Sequence, residues 1–198
     1  MNMDDLDNNL LNSYKAFTGS HFMLNALNTI QSEILLRKDS DAFQAIQVFT
    51  RLYKHALRSS NDHHLEFAEE INFIHQYLKM EHLRFNEGKF PRLINHSAVP
   101  DDLSVPTYLL QSFLENALLV NRELPLSNLT VRVEYVRPMV RCIMDISGKP
   151  EHTYHPKVQE KTRLAEERIN LLNAVHNEGH RLIWGGKAFC TLELNGIN

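Results

Sequence analysis

The chain has 198 residues, of which 43% are hydrophobic and 23% charged, and a formal net charge of −3 at pH 7. That length allows one ordinary domain or two small ones, and the slightly acidic balance argues against a generic nucleic-acid binder. No run approaches the ~20 apolar residues that span a bilayer, so no membrane segment is expected in this chain. The N-terminal MNMDDLDNNLLNSYK carries acidic residues where a secretory signal carries basic ones. Cys142 and Cys190 are too few for a disulfide framework, and a reducing cytoplasmic setting is expected.

All seven prolines fall after residue 90, and only Gly19 and Gly88 interrupt what precedes. Proline and glycine are the main breakers of helices, so the first part reads as helical and the second as mixed. The boundary is placed near Asn86 to Pro91, giving a helical region 1–88 and an α/β region 89–198. The first helix is expected over His21 to Arg37, with Phe22, Leu24, Leu27, Ile30 and Ile34 as its apolar positions. Asp39 and Ser40 supply turn and N-cap chemistry before a second helix over Phe43 to Arg58. Ser59-Ser60-Asn61-Asp62 reads as a loop. A third helix over Glu66 to Phe85 spaces Phe67, Ile71, Ile74 and Leu78 at helical intervals. Such a broad apolar stripe requires a partner: the second region, a second copy, or both.

In the second region a short strand is expected over Arg92 to Val99 and a helix over Pro106 to Arg122, with proline well placed at its start. Leu129 to Tyr135 alternates as a half-buried strand does, and Met139 to Ile146 forms the next strand beyond Arg137-Pro138. Lys157 to Val175 is expected as a helix and Ala188 to Leu194 as a closing strand. The order implies an α+β fold: an N-terminal helical hairpin, then an α/β sandwich with helices on one face of a mixed sheet.

Two constellations carry chemistry. Ser20-His21-Phe22-Met23-Leu24-Asn25 opens a helix, with His21 and Asn25 as i, i+4 neighbours. Imidazole is a competent nucleophile near neutral pH, and a neighbouring amide can orient it. An isolated histidine in such a place more often caps or packs a helix. The second constellation is Val105-Pro106-Thr107-Tyr108-Leu109-Leu110-Gln111-Ser112-Phe113-Leu114-Glu115-Asn116-Ala117, whose bland reading is one solvated face of an amphipathic helix. His152-x-x-His155 has no third ligand in view and lies beside Pro156, so no zinc site is expected there. Cys142 and Cys190 read as buried small apolar residues.

The first segment resembles the phospho-acceptor region of the LytS/YehU-type sensor histidine kinases, written N-P-H-F-L-F-N-x-L-N. Two further segments match in order. Leu52-Tyr53-Lys54-His55-Ala56-Leu57-Arg58 is similar to L-L-R-Y-S-L-R, and Leu65 to Phe85 is similar to L-x-x-E-L-x-x-x-x-x-Y-L-x-I-E-x-x-R-F. The second constellation resembles the N-box of GHKL ATPases, P-x-x-L-L-Q-P-L-V-E-N-A. The resemblance implies that His21 is the phosphorylated histidine, that Glu115 assists phosphoryl transfer and that Asn116 holds Mg²⁺ on ATP. It also implies a homodimer and a response-regulator receiver domain as partner. The chain would then be the cytoplasmic part of a membrane sensor, or associated with one.

Further on, the chain departs from the family. Leu118-Leu119-Val120-Asn121 replaces I-K-H-G, and Asp145-Ile146-Ser147-Gly148-Lys149 stands for D-N-G-x-G. In that box Asp145 takes the adenine-binding place, and Gly148 is the glycine that remains nearby. A G-x-G-L loop would fall near Gln159 to Thr162, where there is no glycine. Glycines there let backbone N–H groups approach phosphates, which side chains obstruct. Glu166-Glu167-Arg168-Ile169-Asn170-Leu171-Leu172 is nevertheless similar to R-E-R-L-x-L-L. The expected function is two-component signalling through His21 with impaired ATP binding. ATP and Mg²⁺ are cofactors if the site is active, and there is no cofactor otherwise. The alternative is an ATP-independent histidine phosphotransferase, as in the sporulation phosphotransferases of similar architecture, or a pseudokinase scaffold.

Overall fold

The computed structural model describes residues 20–58, 62, 64–85, 92–95, 99–100, 103–111, 113–115, 118, 128–137, 139–147, 156–177, 179–184 and 190–195. Helix α1 (Ser20–Leu35) stops where Arg37 takes the left-handed conformation, φ 55°. Arg37 N–H donates to Ile34 O at 3.0 Å and Lys38 N–H to Glu33 O at 3.0 Å. This is the Schellman pattern, which satisfies carbonyls that the helix end would leave open. Helix α2 (Asp39–Arg58) begins at once, with Asp39 and Asp41 in its first turn favouring the positive end of its dipole. The expected turn at Asp39-Ser40 therefore lies inside α2. Arg37 closes the link earlier than glycine-and-proline reasoning indicates.

Strand β1 (His64–Glu66) runs directly into helix α3 (Phe67–Phe85). It pairs antiparallel with β3 (Ser104–Pro106), so a ladder joins residues on either side of residue 88. Pro106 thus ends a strand opposite His64 rather than opening a helix. A proline at a strand end sacrifices no ladder hydrogen bond. Helical conformation follows at residues 109–111, 113–115 and 118.

The main sheet contains β2 (Arg92–Asn95), β4 (Asn128–Val136), β5 (Met139–Ser147), β6 (Arg181–Trp184) and β7 (Cys190–Asn195), in the order β2-β4-β5-β7-β6. β2 is parallel to β4 and the other pairs are antiparallel, so the sheet is mixed and the fold is α+β. Helix α4 (Pro156–His176) ends on Asn177, again left-handed at φ 54°. Asn173 then spans the exit: its Oδ1 accepts from His180 N–H and its Nδ2 donates to His180 O, both at 2.9 Å. Strands β1, β3 and β6 are three or four residues long, too short for alternation to stand out from a loop.

Strand alternation divides the sheet into two faces. Val131, Val133, Val140, Cys142, Cys190, Leu192 and Leu194 are buried on one of them. They join one core with Leu109, Phe113 and Leu114, with Ile169 and Leu172 of α4, and with Phe73, Ile74, Tyr77 and Met80 of α3. The other face carries half-buried Thr130, Arg132, Arg141, Ile143, Asp145 and Glu193. There Arg141 lies directly opposite Glu193, with Nη2 to Oε1 at 2.9 Å.

Candidate functional site

His21 is the second residue of α1, and its side chain lies outside the described residues. Asn25 is one turn on and half-buried, and its carbonyl accepts a hydrogen bond from Thr29 Oγ1 at 2.9 Å. The helix therefore brings positions 21 and 25 to one face, as their spacing requires.

Glu115 is half-buried and engaged on both sides. Its Oε1 accepts from Tyr77 Oη at 3.2 Å and from Gln111 Nε2 at 3.1 Å. Asn116 and Gly148 lie outside the described residues. Asp145 is described, and its carboxylate meets the Arg132 guanidinium at 2.5 Å across the β4–β5 ladder. It shares its parity with Arg141 and Ile143 on the half-exposed face, whereas the helical residues around Glu115 cover the opposite face. Glu115 and Asp145 are therefore not brought together, because the sheet lies between them. Gln159 to Thr162, where a glycine loop was expected, are helical backbone within α4. His152 and His155 lie outside the described residues, and among the described residues no three His, Cys, Asp or Glu side chains form a metal-holding group.

The structure adds a cluster that pattern reading overlooked. Tyr108 sits between β3 and the helical residues that follow, in a left-handed conformation, φ 59°, that is uncommon for a bulky side chain. Three helices and residue 62 meet at this turn. From α3, Glu70 accepts the Tyr108 N–H on Oε2 at 3.3 Å, with the N–H groups of Leu110 and Gln111 acting on the same carboxylate. From α4, Arg168 donates Nη1 to Tyr108 O at 3.2 Å and Nη2 to Thr107 O. From α2, the His55 ring lies 6.0 Å from the Tyr108 ring, edge-on, and 4.8 Å from Phe73. Thr107 Oγ1 donates to Asp62 O at 2.7 Å.

The electrostatics follow from burial. Glu70 is completely buried, and desolvation raises its pKa from 4.5 to about 7. The neighbouring N–H groups and the Arg168 charge act in the opposite direction and do not win. Partial burial likewise holds His55 below its usual 6.5. Burial pushes the Cys142 and Cys190 thiols well above the ordinary thiol range, so neither is a thiolate at neutral pH. Glu70 had a legible signal: it lies three residues after Phe67 and four before Ile74, on the inward face of α3. Arg168 falls at an arginine of the segment similar to R-E-R-L-x-L-L, but the backbone carbonyls that it holds lie about sixty residues away and could not be read from that segment.

Comparison with known proteins bears on residues 10–90, which match the family model described as histidine kinase. The chain is 27% identical over 128 residues to the sensor protein kinase HptS of Staphylococcus aureus, in strains USA300 and NCTC 8325 / PS 47. That match covers 65% of this chain and 24% of the relative, so the chain spans about a quarter of the length of the curated relatives it matches. Among solved structures, a bacterial phosphotransferase superposes with a TM-score of 0.46 at 15% identity, covering 98% of this chain and 97% of the other. The Acinetobacter baumannii histidine kinase AdeS superposes with a TM-score of 0.45 at 11% identity, covering 90% of this chain and 99% of the other.

Proposed function

We propose, for a chain that belongs to the LytS/YehU-type sensor histidine kinase family, that His21 accepts a phosphoryl group and relays it to an aspartate of a response-regulator receiver domain. One observation carries this reading: the family match spans residues 10–90 and contains His21 in the first turn of α1, with Asn25 one turn below. In the step itself, an imidazole nitrogen of His21 attacks phosphorus. A P–N bond forms as the bond to the donor oxygen breaks, and the reverse step delivers the group to the receiver carboxylate. Asn25 orients the imidazole. The working division is a helical region 1–88 and an ATPase-like region 89–198, fastened by the β1–β3 ladder.

The hairpin is half of a larger bundle in this reading. Leu24 is 57% exposed, Ile34 55%, Phe43 63% and Leu57 60%, a set of large apolar side chains that a second copy of the chain would cover. No helix among the described residues is long and apolar enough to cross a membrane. The proposed setting is the cytoplasmic side of a sensor assembly.

Specific observations favour transfer without ATP over a full kinase. In the kinase reading Asn116 would hold Mg²⁺, and Glu115, Asp145 and Gly148 would serve ATP. Yet the Asp145 carboxylate is taken by Arg132, and the segment aligned with the phosphate loop is helical. Described residues thus fit a nucleotide cradle poorly. Incubation with a ³²P-labelled phospho-receiver tests the proposal: the wild-type chain takes up label and His21→Ala does not. Full labelling of His21→Ala would overturn it. Calorimetry with Mg-ATP separates the two routes, because a micromolar dissociation constant would restore the kinase.

A further inference from the structure

Each hairpin helix carries three stripes whose members recur at intervals of three and four residues. On α1, Ala26, Thr29 and Glu33 are buried, Leu24, Leu27 and Ile34 are exposed with Gln31 among them, and positions 21, 25, 28 and 32 make a polar edge. On α2, Ala42, Ala45 and Leu52 are buried, Phe43, Ile46, Tyr53 and Leu57 are exposed, and Gln44, Gln47, Arg51, Lys54 and Arg58 make the polar edge. Thr50 falls within the apolar stripe, and its hydroxyl is turned back onto Ile46 O at 2.8 Å. At about 100° per residue, the apolar stripe of each helix lies roughly 120–130° round the axis from the buried one, and the polar edge lies about as far round the other way.

The two helices run antiparallel, so their opposite senses of rotation bring both apolar stripes to one side of the hairpin. Helix α3 covers the reverse side, with Phe73 4.8 Å from the His55 ring and Gln76 Oε1 3.5 Å from Arg51 Nη1. The two polar edges therefore look out in opposite directions. They also differ in charge. Residues 20–32 include no Asp, Glu, Lys or Arg, whereas residues 42–58 include Arg51, Lys54 and Arg58 and no carboxylate. Arg58 is taken up by Glu69 of α3 at 3.2 Å, but Arg51 meets only the neutral amide of Gln76 there, and Lys54 is exposed. In a chain of net charge −3, the polar edge of α2 is thus locally positive.

We propose that Lys54 and Arg51 of one copy and His21 of the other form a composite docking face for the anionic carboxylate, or acyl phosphate, of the receiver domain. This rests on the His21 relay and on the second copy proposed above. Pairing of the apolar stripes about a twofold axis along the hairpin lays α1 of one copy beside α2 of the other and turns their polar edges to the same side. At about 1.5 Å per residue, positions 21 and 54 both stand roughly 21–22 Å from the turn at Arg37. Lys54 is thus level with His21, Arg51 with Asn25 and Gln47 with Asn28. Within one chain the same side chains point away from each other, so no such face forms without the second copy. The chemistry is complementary, since the reacting group of the receiver is negative both before and after it carries phosphate. Fixed cations beside such a site speed encounter with an anion by about tenfold or more, and salt removes the gain.

The test follows ³²P transfer from a phospho-receiver to the full chain at low and high salt. Lys54→Glu lowers the second-order transfer rate roughly tenfold at low salt, the deficit shrinks at high salt, and Lys54→Arg keeps the wild-type rate. Mixed dimers of one His21→Ala chain and one Lys54→Glu chain, purified through two tags, then locate the face. The remaining His21 sits beside the Lys54 of the other chain, so these dimers transfer at about half the wild-type rate, having one intact face of two. A mixed dimer no faster than half the Lys54→Glu rate would overturn the composite face, and so would a wild-type rate in Lys54→Glu itself. Calorimetry with the unphosphorylated receiver separates this from failure of the relay. Label on His21→Ala refutes the relay alone, and the face still stands where Lys54→Glu weakens receiver binding roughly tenfold in that background. Equal receiver binding with and without Lys54→Glu refutes the face alone.

Discussion

The hairpin and the sheet bury their side chains by opposite rules. In the sheet, the large residues face inward: Val133, Val140, Cys142 and Leu194 are entirely inaccessible, with α4 and the helical residues after Tyr108 above them. In α1 and α2, Ala26, Ala42 and Ala45 face inward beside Val48 and Leu52, while the large Leu24, Leu27, Phe43, Ile46 and Leu57 are exposed. Small inward residues let α1 and α2 approach closely, but they leave most of the apolar area uncovered. The sheet is thus covered within one chain, whereas the hairpin keeps an exposed apolar face that the proposed second copy would cover.

Four measurements break or sharpen that contrast. The largest effect belongs to the sealed sheet. Leu192→Ala leaves a cavity in rigid surroundings and costs about 2–5 kcal/mol in denaturant unfolding. A loss under about 1 kcal/mol would mean that the sheet core is not closed. Next is the hairpin. Phe43→Ser has little effect on monomer unfolding but weakens self-association by roughly tenfold or more, read by light scattering on dilution. Unchanged association would place the interface elsewhere. Third comes the seam between the two regions. His55→Phe removes an acid-side instability, because a histidine held below 6.5 loses stability as pH falls through that value. The variant's denaturant midpoint should fall less than the wild type's between pH 7 and pH 5.5. Equal falls would show that His55 does not report on the seam. Smallest is Arg163→Ala on the outer face of α4. Its pair with Glu167 is more than half exposed, and its loss is worth about 0.5 kcal/mol or less by thermal unfolding.

Long elements were legible because their periodicity accumulates. Helices α1 to α4 and strands β4, β5 and β7 lie within a few residues of where hydrophobic spacing puts them. What periodicity does not reveal is rotation about the helix axis. On α3 the spacing of Phe67, Ile71, Ile74 and Leu78 points to one face, yet Ile71 and Leu78 are only partly covered while Glu70 and Glu81 are buried. For Glu70 the spacing after Phe67 and before Ile74 marks the inward face, but its partner, the Tyr108 N–H, lies 38 residues away and leaves no local mark. The same holds for Arg132, whose hold on Asp145 depends on the β4–β5 register rather than on either strand's own sequence. Motif matching can place Asp145 in line with a nucleotide-binding aspartate, but a one-residue change of strand parity decides which side of the sheet it serves.

Cys142 and Cys190 lie on neighbouring strands, both on the covered side, and both are held as thiols. A maleimide or a disulfide reagent has no access to them until β5 and β7 separate. The two sulfurs are consequently a native stopwatch: the rate at which the untouched protein consumes such a reagent equals the rate at which its sheet comes apart, whenever reaction outpaces reclosing. No engineered label is required to time that event.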